Sequence, residues 1–240
     1  MSTVRGKNEV LLTTVSTYQL LDYHQSMTHQ ASLIHITPNA EQLIAYMARV
    51  SNPSNQSNTE TSAKLIRYLI EHEHWSPFEM VNMCVEINTT RSIAAQILRH
   101  RSFSFQEFSQ RYAAVTEMPA IPQLRTQDLK NRQNSIDNLD DVLAKKFELE
   151  IGKHFCDAYR LYRDMLDAGI AKECAREVLP LAAPTRLYMN GTVRSWLHYC
   201  GLRTGSGTQK EHAVIAGQIQ DILYKELPSV CEAMWSKNLE

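Results

Sequence analysis

A mixed α/β fold is what this chain predicts, because strand-like and helix-like hydrophobic periods stand side by side in it. Between residues 81 and 87, Val81, Met83, Val85 and Ile87 alternate with Asn82, Cys84 and Glu86, the period-2 pattern of a strand with one buried face. Asn88, Thr89 and Thr90 then offer capping side chains, and Ile93, Ala94, Ile97 and Leu98 follow as a helical stripe. With 240 residues and 43% hydrophobic content, the chain can also bury a sizeable single core.

The other elements follow in order. Ala31 to Ile36 reads as a short strand, and residues 40–50 and 60–72 as helices separated by the polar stretch Ser51 to Thr59. After the 81–98 strand and helix, the segment from Arg99 to Gln110 continues as a loop, and Arg111 to Val115 reads as a strand through Tyr112 and Val115. Met118 to Asp141, with two prolines and many Asn, Gln and Asp residues, is a long excursion. A long helix is expected over residues 143–168, ending before Gly169. Ala171, Cys174, Ala175, Val178 and Leu179 then make an apolar helical stripe that leaves Arg176 on the polar side. Thr185 to Asn190 reads as a strand. Thr192 can cap a helix buried through Val193, Trp196, Leu197 and Cys200, with Arg194 and His198 one turn apart on another face. Residues 1–30, rich in Ser, Thr and Gln, read as an extension with no assigned role, ahead of one domain spanning 31–240.

Composition excludes several classes. A net charge of −1 argues against bulk nucleic-acid binding, so any arginine cluster must act locally. Five cysteines without a Cys-x-x-Cys pair fit free thiols in a reducing cytoplasm. No secretory or membrane-spanning segment is visible in the first thirty residues. His72 and His74 lack a third ligand at metal-site spacing, so no metal is expected.

The chemistry concentrates between Arg99 and Tyr112. There Arg99, His100, Arg101 and Arg111 crowd together with Glu107, Ser109 and the aromatic rings of Phe103, Phe105, Phe108 and Tyr112. Planar guanidinium forks suit a phosphate or a carbonyl edge, and aromatic rings offer stacking surface. On the preceding helix, Ser92, Gln96 and Arg99 share one face and point toward the same place.

These residues carry a specific resemblance. Arg99-His100-Arg101, seven residues, Ser109, one residue and Arg111 is similar to the signature of the flavin-dependent thymidylate synthases, the ThyX family. Upstream, His74-Trp75-Ser76-Pro77-Phe78-Glu79 resembles a second family segment. Downstream, Ala175-Arg176-Glu177-Val178-Leu179-Pro180, Arg194-Ser195, Leu202-Arg203 and then Gln209 with Glu211 fit further blocks in the right order. The resemblance implies a twisted, mostly antiparallel sheet flanked by helices, an α+β arrangement. It implies reductive methylation of dUMP to dTMP, with FAD as cofactor and NADPH and 5,10-methylenetetrahydrofolate as co-substrates. It also implies a homotetramer, in which Arg111 and Arg203 reach one dUMP from different subunits.

The resemblance assigns roles residue by residue. dUMP would contact Gln96, Ile97, Leu98, Arg99, Glu107, Phe108, Ser109, Gln110, Arg111, Arg176 and Arg203. FAD would contact Ser76, Arg99, His100, Arg101, Glu107, Thr192, Val193, Arg194 and His198. Gln106, Thr192, His198 and Gly207 depart from the usual family residues, which touches the FAD contacts and leaves the dUMP arginines intact. Arg203 takes the catalytic part. Making C5 of uracil nucleophilic requires either a thiol adding at C6 or a cation near N3 and O4 that stabilises an ionised ring. None of Cys84, Cys156, Cys174, Cys200 or Cys231 lies in a motif block with a matching context, so the cation is the expected route. Ser109 has no visible histidine base and reads as a hydrogen-bonding residue. Two rivals remain: a catalytically silent nucleotide-binding relative, and a single-stranded nucleic-acid-binding module using the Arg/Phe segment for stacking.

Overall fold

The alternation in residues 81–87 does become the strand at the centre of the molecule. The computed structural model describes residues 29–236, so residues 1–28 of the proposed extension and the last four residues lie outside the described part. In chain order the elements are β1 (Gln30–Ile36), α1 (Ala40–Ala48), α2 (Ser62–Glu71), β2 (Asn82–Thr90), α3 (Arg91–Ile97), β3 (Ser104–Glu107), β4 (Thr126–Gln127), β5 (Ser135–Ile136), α4 (Asp141–Asp167), α5 (Lys172–Ala175), β6 (Pro184–Thr192), α6 (Val193–Arg203), α7 (Lys210–Glu226) and α8 (Pro228–Trp235). Four strands form an antiparallel sheet in the order β1-β2-β6-β3, and β4 and β5 make a separate small ribbon.

The sheet buries one face. Met83, Val85, Ile87 and Thr89 of β2 and Thr185, Leu187, Met189 and Gly191 of β6 point inward, and the residues between them stay partly open. In β1 the register shifts between Leu33 and His35, and that irregularity swaps the parity of the strand. Ala31, Leu33 and Ile36 therefore pack on the core while Ile34 is half exposed. Helices α6 and α7 close over the sheet, with Trp196, Tyr199, Ile215 and Ile219 fully buried. The Trp196 indole N–H donates to the Met83 carbonyl at 3.0 Å, so the largest core side chain is also satisfied. At the far end Glu41 of α1 accepts from Ser229 and from the Val230 amide, capping α8 with a carboxylate.

A second, smaller core stands apart from the first. Val115, Tyr162 and Ala175 form it, with Tyr159, Val178 and Leu179 packed around them. It ties the root of the 118–141 excursion to α4 and α5. The Tyr162 hydroxyl accepts from the Val115 amide, and the Tyr159 hydroxyl donates to the Thr116 carbonyl.

Several sequence expectations need correction. The strand near the arginines is Ser104–Glu107, not Arg111–Val115. Phe103 and Phe105 alternate with Ser104 and Gln106, a period-2 signal masked by the surrounding charge, and β6 supplies the partner strand. At Arg111–Val115 the chain turns instead, because the Ser109 carbonyl accepts from both the Tyr112 and Ala113 amides. Tyr112 is left 82% exposed. Leu98 falls just past the end of α3 and is exposed, outside the stripe expected for it. Helix α5 is only four residues long and passes into a 3-10 turn over Arg176–Val178, so α-helical spacing does not apply. Cys174 is therefore exposed, while Ala175, Val178 and Leu179 do pack.

Candidate active site

The candidate residues sit at the ends of elements, and the reason each element ends there is local. Thr90 caps α3 by accepting from the Ile93 amide, and Gln96 is the penultimate residue of that helix. Thr192 caps α6 by accepting from the Ser195 amide, and Arg203 is its last residue, where a cation meets the negative end of the helix dipole. Between these helix ends runs the Arg-His-Arg segment. Phe103 pins it, packing edge-on against Trp196 at 4.6 Å between ring centroids. The seat exists because residue 191 is glycine: a Cβ there would stand 2.4 Å from the Phe103 ring.

Held in this way, His100 meets Arg203. The Arg203 Nε donates to His100 Nε2 at 2.9 Å, so the imidazole is neutral at that nitrogen and carries its proton on Nδ1. Burial, with the charges of Arg203 and His198 adding to it, pushes the His100 pKa down to about 4. Its ring stands edge-on to Tyr199 at 4.9 Å. Beneath lies His212, fully buried, its Nε2 3.0 Å from the Tyr199 hydroxyl and its Nδ1 3.4 Å from Gln96 Oε1. Burial first, then Arg203 and His100, lower the His212 pKa to about 4 as well. Gln96 also donates to Gln209 at 2.7 Å. Gln96, His100 and Arg203 thus form one group on the main core.

Arg111 and Arg176 form another, on the small core. Arg111 pairs with Glu173 at 3.0 Å and Arg176 with Glu177 at 3.3 Å. Among the described residues no hydrogen bond or ion pair links this group to Arg203. Ser109 lies at its edge, with its hydroxyl 3.4 Å from the Arg111 amide. Gln110 is buried, and its Nε2 has no acceptor among the described residues. Glu107 faces inward to Arg91 at 2.5 Å and accepts from Thr185 at 2.9 Å. Phe108 is partly exposed.

A third group gathers at the start of α6. Arg194 pairs with Glu79 at 2.5 Å, one turn from Ser76, and Ser195 donates to the Ser102 carbonyl. Arg99 and Arg101 are exposed and take part in no ion pair among the described residues, and His198 is exposed as well. Ile97 and Val193 are wholly inside the core, so each can offer a ligand only its backbone. The Val193 amide is already bonded to the Val81 carbonyl at 3.0 Å. Sequence reasoning missed His212, Tyr199, Arg91 and Glu173, because each matters through a partner distant in the chain. A lone histidine beside the apolar positions of α7 was the available signal for His212.

Two cavities lie beside these groups. One of about 460 Å³ lies between the excursion, α3 and α7, and one of about 330 Å³ lies beneath the β4–β5 ribbon; Gln209 and Arg125 line both. The arginines of the motif face open solvent instead.

The antiparallel sheet thus carries the Arg-His-Arg triplet and a helix-end arginine on its main core, with two further arginines on the smaller one. The chain matches the family model described as thymidylate synthase complementing protein over residues 32–229. It is 53% identical over 195 residues to a protein of Paramecium bursaria Chlorella virus 1 named "Probable flavin-dependent thymidylate synthase", covering 81% of this chain and 90% of that one. It is 51% identical over 194 residues to the flavin-dependent thymidylate synthase of Synechocystis sp., covering 81% and 89%. Among solved structures it superposes on the UMP/dUMP methylase PolB from Streptomyces cacaoi bound with 5-Br dUMP, with TM-score 0.78, 27% identity, and coverage of 88% of this chain and 96% of that one. The chain belongs to the family of flavin-dependent thymidylate synthases.

Proposed function

We propose that this chain methylates dUMP to dTMP reductively, with methylenetetrahydrofolate as carbon donor, NADPH as reductant and FAD as cofactor. The observation that carries the reading is the Arg203–His100 pair. A neutral histidine holds the Nε of Arg203, and no described residue bonds its two terminal nitrogens, so the planar fork is aimed and free. Placed against N3 and O4 of uracil, that fork stabilises an ionised ring and raises electron density at C5 without a thiol.

The remaining groups bind and orient. Arg111 and Arg176, with Arg99, would neutralise the phosphate, and Ser109 would donate to the nucleotide. FAD, when bound, supplies the redox chemistry. The residues near the start of α6 fit such a group: Ser76, Thr192 and His198 offer polar contacts, and Arg99, Arg101 and Arg194 offer cations for a pyrophosphate. Arg203 and Arg111 rest on separate cores with no bond between them among the described residues, which fits a reading in which one nucleotide is shared between subunits of a homotetramer. Long α4 suits such an assembly, exposing Val142, Leu143, Phe147, Leu149 and Leu161. No helix among the described residues is long and apolar enough to cross a membrane, and all five cysteines are unpaired, which supports a cytoplasmic setting. The division into an extension over 1–30 and one catalytic domain over 31–240 belongs to the same reading.

The test is direct. The purified protein should carry a flavin absorbance band and form dTMP from dUMP when given NADPH and methylenetetrahydrofolate. A flavin band without dTMP would indicate a silent nucleotide-binding relative, and absence of the band would overturn the reading.

A further inference from the structure

The polarity of a hydrogen-bond chain that runs from the exposed Gln209 to the buried Tyr199 can be assigned from its carboxylate end, because an ionised carboxylate only accepts. Glu211 is that end. Arg125, from the 118–141 excursion, grips it with Nη1 at 2.7 Å from Oε1 and Nη2 at 3.0 Å from Oε2. Burial works against the Glu211 carboxylate, but the Arg125 hydrogen bond, hydrogen bonds from its own backbone and Gln209, and the Arg125 charge together outweigh it and hold the group below its ordinary pKa. Gln209 must then turn its amino group to Glu211, at 2.9 Å, and its oxygen to Gln96. Gln96 in turn must give an N–H to Gln209 and direct its oxygen to His212. His212 must carry its proton on Nδ1 and accept at Nε2 from the Tyr199 hydroxyl. Each amide and the imidazole has one orientation compatible with its neighbours. The second N–H of Gln96 is what remains to be used.

We propose that Arg125, Glu211, Gln209 and His212 are positioning residues that lock Gln96 as a hydrogen-bond donor toward an acceptor oxygen of the nucleotide, a phosphate oxygen or a uracil carbonyl. This rests on the reading above that Gln96 contacts dUMP. It gives the excursion a part in the reaction: Arg125 sets the direction of a glutamine three hydrogen bonds away. The burial of His212 keeps its ring neutral, as a donor at one nitrogen and an acceptor at the other requires.

The protein labelled with ¹⁵N-histidine should show the His212 ring protonated at Nδ1, and protonation at Nε2 would overturn the polarity. In the flavin-loaded enzyme, His212→Leu should raise the Kd for dUMP roughly three- to tenfold, the scale of one lost hydrogen bond, while kcat at saturating dUMP changes much less. His212→Asn, which keeps a donor near Nδ1, should recover most of that affinity. A merely structural role would lower thermal stability and active fraction in both variants without this split. Deoxyuridine separates the two acceptors: the His212→Leu effect disappears with it if the partner is phosphate and persists if it is a uracil carbonyl. Gln96→Ala guards the premise. If Gln96→Ala weakens dUMP binding and His212→Leu does not, the positioning role is refuted. If Gln96→Ala leaves binding unchanged, Gln96 is outside the nucleotide site and the proposal falls with that assignment.

Discussion

Arg203 and His100, 103 residues apart in sequence, are joined by a hydrogen bond of 2.9 Å from the guanidinium Nε to the imidazole Nε2. The bond makes the histidine of the Arg-His-Arg triplet an acceptor for the arginine that would polarise uracil. Removing it should loosen Arg203 without removing its charge. His100→Ala is expected to slow dTMP formation roughly tenfold or more at saturating dUMP, the lower end for one hydrogen bond to a charged group. A full-rate His100→Ala enzyme with its flavin retained would show that Arg203 needs no such support.

Arg203 itself should separate charge from geometry. Arg203→Ala is expected to lose on the order of 100-fold or more in turnover, as for other preorganised electrostatic groups. Arg203→Lys keeps a cation but has no Nε to give His100 and no planar fork, so it should fall between the alanine variant and the unmodified enzyme. Steady-state rates of dTMP formation decide this, and equal rates for the alanine variant and the parent would refute the mechanism.

Stability should fall with acid over a defined window. The pKa values of His100 and His212 are lowered from 6.5 to about 4 in the folded protein, chiefly by burial. Between those values the unfolded chain binds protons that the folded chain refuses, so stability is fully present above 6.5 and declines as pH falls toward about 4. Melting temperatures measured across that window should drop, and His212→Asn should flatten the drop. An unchanged slope would mean His212 is not neutral in the fold.

How much of this could be read in the chain beforehand follows from range. The β2 alternation, the Thr90 and Thr192 caps and the stop at Gly169, which has φ of +83°, are local signals and were legible. β3 was not, because its four residues become a strand only by pairing with β6 some eighty residues away. Of the site, the motif arginines were legible as residues. Their partners Glu173, His100 and Glu79 were not legible as partners, since spacing in sequence does not reveal which carboxylate or imidazole the fold carries to which guanidinium.

Cysteine chemistry should be dispensable. The thiols of Cys200 and Cys231 are buried, and burial raises both, Cys231 to about 12, so neither is a thiolate at neutral pH. Replacing Cys84, Cys156 and Cys174 by serine and Cys200 and Cys231 by alanine should preserve dTMP formation per folded molecule, with a loss in melting temperature from the buried pair. Complete inactivity of a folded variant would point to a thiol nucleophile.

Sharing of the site between subunits can be tested by mixing. Arg111→Ala and Arg203→Ala should each be nearly inactive, and after verified subunit exchange the mixture should recover roughly a quarter of normal activity, since half the pairs are hybrid and half their sites intact. No recovery would place both arginines in one subunit's site.

The unequal pairing of the arginines shapes how an anion finds this molecule. Arg91, Arg111, Arg125, Arg176 and Arg194 each stand against a carboxylate, so their fields largely cancel a short distance into solvent. Arg99, Arg101 and Arg203 take part in no ion pair among the described residues. These three bring uncompensated positive charge to the triplet and to the end of α6, on a chain whose net charge is −1. A compact dianion such as dUMP is drawn by those uncompensated charges at long range, whereas a polyanion passing over the same surface also meets the neighbouring carboxylates. Capture selectivity of this kind operates before any contact forms, and added salt would erode it first in the association rate.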